Sequence, residues 1–139
     1  MNLRPAVLEN RFVRLEPLAD HHREPLRLAC DADPELWPAL YYRSYGGAHF
    51  DAGWDDLVAG QSAGTRMPFA VMVDGTLVGM SSYIDIQRGN RALEIGTTYY
   101  RPSARGGPVN PAAKRLLLDH AFACGANRVA FKVDDRNGR

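Results

Sequence analysis

The sequence predicts one α+β (mixed α/β) domain over residues 1–139, with a mostly antiparallel sheet flanked by helices. Three observations carry this. Residues 69–86 hold two apolar, β-rich runs on either side of Asp74-Gly75, the pair best suited to the positive φ angles of a type I′ hairpin turn. Ala113, Leu116, Leu117, Ala121 and Phe122 recur at helical spacing, which predicts an amphipathic helix. The run RVAFKV at 128–133 then predicts a closing strand.

The elements follow in order. FVRLEPL at 12–18 alternates apolar and polar side chains, as a half-buried first strand does. A helix should come next, with Asp20 as N-cap and Leu26, Leu28 and Ala29 on its apolar face, although Pro25 blurs its start. Residues 31–66 are punctuated by Pro34, Pro38, Gly46, Gly47, Gly60 and Gly64, so they cannot form one helix. A short helix is expected over 51–57. The same segment concentrates Trp37, Tyr41, Tyr42, Tyr45, Phe50 and Trp54, which can pack a core or wall an acceptor site. After the hairpin, a turn at 87–90 leads into ALEIGTTYY, the third strand of a meander. For the helix beyond, Asn110 is a good N-cap, Pro111 suits its first position, and Gly125 suits its end.

Lysine and arginine number 17 against 16 aspartate and glutamate, a net charge of +1. That balance argues against a nucleic-acid or membrane partner, whose capture needs a basic excess. Cys30 and Cys124 show no metal-ligand spacing and read as reduced thiols of a cytoplasmic chain. The four histidines show no metal spacing either, so no metal is expected. Residues 1–10 have no signal-peptide core, and no apolar run approaches the roughly 18 residues of a membrane span.

The chemistry points to ARGGPVN at 104–110. Glycines just before a helix let the backbone approach a ligand, and the helix start offers N–H groups and partial positive charge. Such a turn can cradle a phosphate, or simply need glycine for a positive φ. The spellings of a P-loop, a dinucleotide fingerprint, a zinc-protease helix and a serine-hydrolase elbow are all missing.

Motif and context together resemble the GCN5-related N-acetyltransferase (GNAT) superfamily, in which an [RQ]-x-x-G-x-[GA] turn wraps the pyrophosphate of acetyl-CoA. Glu94-Ile95-Gly96, Asn110 and Asp134-Asp135-Arg136-Asn137 are similar to signatures of the branch related to ribosomal-protein N-terminal acetyltransferases. The resemblance implies acetyl transfer from acetyl-CoA to a primary amine, on a protein N-terminus or a small molecule, by direct attack on the thioester. It implies Glu94 as the base, and cofactor contacts from Tyr99, Tyr100, Arg105, Gly106, Gly107, Val109, Asn110, Lys114 and Asn137.

Two departures from the family pattern stand out. Pro108 replaces a glycine and cannot donate an N–H. The family's later helix and last two strands have no counterpart before Arg139, which would leave an apolar edge and favours a homodimer. The alternative reading is a non-catalytic acyl-CoA-binding or interaction module. A structural domain without cofactor requires the glycine turn to be merely a turn.

Overall fold

The computed structural model describes residues 1–40 and 44–132. Six strands form one sheet in sequence order: β1 (Leu8–Glu9), β2 (Arg14–Pro17), β3 (Met67–Val73), β4 (Thr76–Gln87), β5 (Ala92–Tyr100) and β6 (Arg128–Phe131). Neighbours run antiparallel except β5 and β6, which pair in parallel and are joined through a helix. The helices are α1 (Arg23–Asp31), α2 (Leu36–Leu40), α3 (Phe50–Ala63) and α4 (Val109–Ala123). No described helix is long and apolar enough to cross a membrane.

The meander forms as its turn chemistry dictates. Asp74 and Gly75 adopt φ of 50° and 79°, so both central positions have the left-handed conformation of a type I′ turn. At the other end of the chain, the alternating pattern overshoots. The second strand is confined to residues 14–17, and a two-residue β1 too short to show a pattern pairs with it.

Strand alternation sends side chains to opposite faces of the sheet, and each face has its own core. Leu15, Phe69, Val71, Tyr83, Leu93 and Ile95 meet Ala113, Leu117 and Ala121 of α4. Ala70, Met80 and Tyr99 meet Leu26, Ala29 and Cys30 of α1, Trp37 of α2, and Phe50, Trp54 and Leu57 of α3. Burying Leu117 or Leu57 completely contributes roughly 1.5–3 kcal/mol each. Two residues expected on apolar helix faces point outward instead: Leu28 is 59% exposed and Phe122 51%. The buried stripe of α4 is Val109, Ala112, Ala113, Leu117 and Ala121, which leaves Phe122 off-axis.

The third helix corrects a boundary. It runs 14 residues rather than the seven of 51–57, because Gly60 is tolerated within it and Gly64 closes it with φ of 75°. Helix α4 starts one residue before the expected N-cap. Pro108 takes that position, its carbonyl accepting from the Ala112 N–H at 3.0 Å, and Asn110 and Pro111 lie inside the first turn.

Candidate active site

The site is built on a change in the middle of β5. From Ala92 to Ile95 this strand is paired on both sides, with β4 and with β6. Among the described residues the last pair of the β6 ladder is Ile95↔Phe131. At the same point the β4 register slips, so that Met80 faces Tyr99 but Ser82 faces Gly96. Thr97, a β-branched residue, takes φ of 49°, the left-handed region that glycine normally fills. Residues 96–100 therefore have β4 on one side and no described strand on the other.

That stretch leads into the glycine turn. After Tyr100 the Arg101 N–H bonds the Val78 carbonyl at 2.8 Å, and a short 3-10 turn spans Pro102–Ala104. Gly106 has φ of 76°, so the turn does need glycine. Open space surrounds it as well: a Cβ at Gly106 or Gly107 would meet no atom within 4 Å. Among the described residues the N–H groups of Gly106, Gly107, Val109 and Asn110 have no intramolecular acceptor. Pro108 and Pro111 lack the group. Four free amides thus gather at the positive end of α4, a ready anion site.

Glu94 stands on the face of the sheet that α1 and α3 cover, by its alternation with Leu93 and Ile95. It is 7% exposed, and its Oε2 lies 3.3 Å from Lys132 Nζ. Ser82, paired with Gly96 and on the same face by alternation, is fully buried, and its hydroxyl has no partner. A carboxylate, a hydroxyl without a partner among the described residues, and a side-chain-less Gly96 therefore adjoin where the strand slips register.

The model of the acetyltransferase (GNAT) domain matches residues 13–139. The chain belongs to the GNAT acetyltransferase family. A protein from T. thermophilus, provisionally an acetyltransferase, shares 34% identity and a TM-score of 0.83, over 100% of this chain and 72% of that one. A GCN5-related N-acetyltransferase from Brucella melitensis shares 25% identity and a TM-score of 0.86, over 99% and 64%. Mycobacterium smegmatis RimJ, solved with CoA-disulfide, has the same fold at 22% identity and a TM-score of 0.81, over 96% and 70%. No curated protein matches the sequence.

Within the GNAT frame the other residues singled out from sequence separate clearly. Arg105 turns inward. Its Nε donates to the Tyr100 carbonyl at 2.8 Å, its Nη1 donates to Asp33 Oδ2 at 2.8 Å, and its guanidinium lies 5.6 Å from the Tyr99 ring. It ties the glycine turn to the segment between α1 and α2, a link across 72 positions that no sequence pattern announces. The side chains of Tyr99 and Tyr100 are core: Tyr99 stacks on Trp37 with centroids 4.6 Å apart and donates to the Ala29 carbonyl. Trp37, Tyr45, Phe50 and Trp54 are all buried and wall no cleft. Tyr41, Tyr42 and Asn137 lie outside the described residues.

Lys114 is also turned inward. Its Nζ donates to Thr98 Oγ1 at 2.7 Å and lies 3.4 Å from Ser81 Oγ, and burial pushes its amine down to about 8. One group of possible metal ligands gathers that spacing did not suggest: Glu16, His21 and His22. Its buried member is already engaged. His22 Nδ1 accepts from the Ala19 N–H, and Nε2 donates to Glu16 Oε1 at 2.8 Å. That bond, with Arg14, holds the Glu16 carboxyl below its usual range. Sequence reasoning missed Ser81, Ser82, Thr97 and Thr98. The only signal was the small-polar run SS in β4 opposite GTT in β5, inside otherwise apolar strands.

Proposed function

We propose that the chain is an acetyl-CoA-dependent N-acetyltransferase that moves an acetyl group to a primary amine, on a protein N-terminus or a small molecule. The observation that carries this reading is the row of four free amides at the start of α4, reached from the bulged half of β5 through a short turn. A ligand that carries a diphosphate has the matching chemistry: backbone amides and the positive end of a helix dipole for the anion. RimJ and RimL of the same fold were solved with CoA forms.

Bound acetyl-CoA would supply an activated acetyl group as a thioester. Gly106, Gly107, Val109 and Asn110 would hold the diphosphate, with Gly106 shaping the turn. The backbone of β5 would align the arm so that its acetyl end reaches the bulge, where an N–H can polarise the carbonyl. As the amine nitrogen forms its bond to the acetyl carbon, the carbon–sulfur bond breaks and the sulfur leaves with the electron pair. Glu94 takes up the amine proton, directly or through a water held against Ser82.

The test is turnover of acetyl-CoA against a panel of peptide and small-molecule amines, read as thiol release. Amine-dependent release that falls sharply in Glu94→Gln supports the reading. CoA binding without release for any amine would leave a binding module. No CoA binding would remove both.

A further inference from the structure

We propose that Lys114 is a positioning residue of the cofactor cleft: reaching across from α4, it clamps Thr98 and Ser81 and so fixes the bulge in the middle of β5. This rests on the acetyl-CoA reading above, since it assigns the clamp to the cleft that reading fills.

The starting point is a backbone that needs restraint. Thr97 has φ of 49°, and a β-branched residue stays there only when its surroundings determine it. The register slip sets two residues of β5, Thr97 and Thr98, against Ser81 of β4. An extra residue in one strand can be absorbed in more than one place, so the ladder alone does not choose.

The side chains do choose. Ser81 Oγ and Thr98 Oγ1 are 2.8 Å apart, and Lys114 Nζ is 2.7 Å from the second and 3.4 Å from the first. Three groups from three elements close a triangle on the residue that follows Thr97. The ammonium also lies 5.9 Å from the ring of Phe131, the last β6 residue paired with β5. Lys114 therefore sits beside the last described pair of these two strands.

The charge is costly there. Among the described residues it has no carboxylate partner, and the side chains facing it from β4, β5 and β6 are the non-titrating Ser81, Thr98 and Phe131. Burial alone lowers its affinity for the proton. A methionine would fill the same space without that penalty, and Ser81 and Thr98 would still bond each other. Stability thus argues against a lysine at this position, while alignment of the strand edge argues for it.

The two roles differ in sign, which makes them separable. CoA is titrated by calorimetry into the 139-residue chain, Lys114→Met, Thr98→Val and the double variant, with ligand-free thermal unfolding of each. Expected are a midpoint for Lys114→Met no lower than the parent's and CoA affinity weakened at least about fivefold. Thr98→Val should weaken CoA similarly, and the double variant should be no weaker than Lys114→Met. Affinity within about fivefold of the parent overturns the proposal, as does a midpoint that falls with affinity. A Thr98→Val that binds normally overturns it too, because Lys114 would then act on the ligand directly. A parent that binds no CoA sinks the cofactor reading and this role with it; normal binding by Lys114→Met sinks only the role.

Discussion

The two halves of β5 are one strand with two fates. Residues 92–95 are hydrogen-bonded on both sides and send Leu93 and Ile95 into the core. Residues 96–100 keep β4, slip register at Thr97, and end beside four free amides. The first half is a regular ladder. The second trades regularity for a bulge, and a β-branched residue with positive φ persists only where its surroundings determine it. The fold sets its anion site just beyond that irregularity.

If that division is right, substitutions in the two halves should fail differently. Ile95→Ala, in the regular half, should destabilise by roughly 2–5 kcal/mol in denaturant unfolding, with CoA affinity unchanged under folded conditions. Glu94→Gln, at the boundary, should keep CoA binding and lower kcat by about 10²–10⁴-fold. Beyond the bulge, Pro108→Gly adds an N–H to the anion site. A bond to a charged group contributes about 1.5–3 kcal/mol, so CoA affinity should rise, less whatever the freer turn gives back. Calorimetric titration checks it, and unchanged affinity would mean that position 108 does not face the ligand.

The smallest effect is a pH slope. The folded-state amine of Lys114 lies at about 8 against an ordinary 10.5, so between these values the unfolded chain binds more protons. The charge's penalty is present below about pH 8 and is relieved as pH rises toward 10.5. The parent should therefore gain stability relative to Lys114→Met across that window in urea unfolding.

Much of this architecture is visible in the sequence, for identifiable reasons. Asp74-Gly75 announces its turn because few residue pairs accept two positive φ angles. The glycine turn and its flanking signatures announced the family. The bulge did not show, since ALEIGTTYY reads as an unbroken strand and nothing in the string marks Thr97 as left-handed. Lys114 reads from the sequence as a cofactor contact, and its bonds to Thr98 and Ser81 do not show there, because spacing gives the face of a helix and not what lies opposite. Arg105 looked like a phosphate ligand, and its bond to Asp33 exists only through tertiary contact. The N-cap shifted from Asn110 to Pro108 for the same kind of reason: the glycine turn sets where the chain enters the helix.

The central claim is that the bulged half of β5 and the start of α4 form one binding surface. Amide hydrogen exchange with and without saturating CoA tests it most directly. The account predicts new protection at Gly106, Gly107, Val109 and Asn110, and at those amides of 96–100 that do not face β4, with 92–95 unchanged. Protection confined to other segments, or no change anywhere from a chain saturated with CoA, would contradict it.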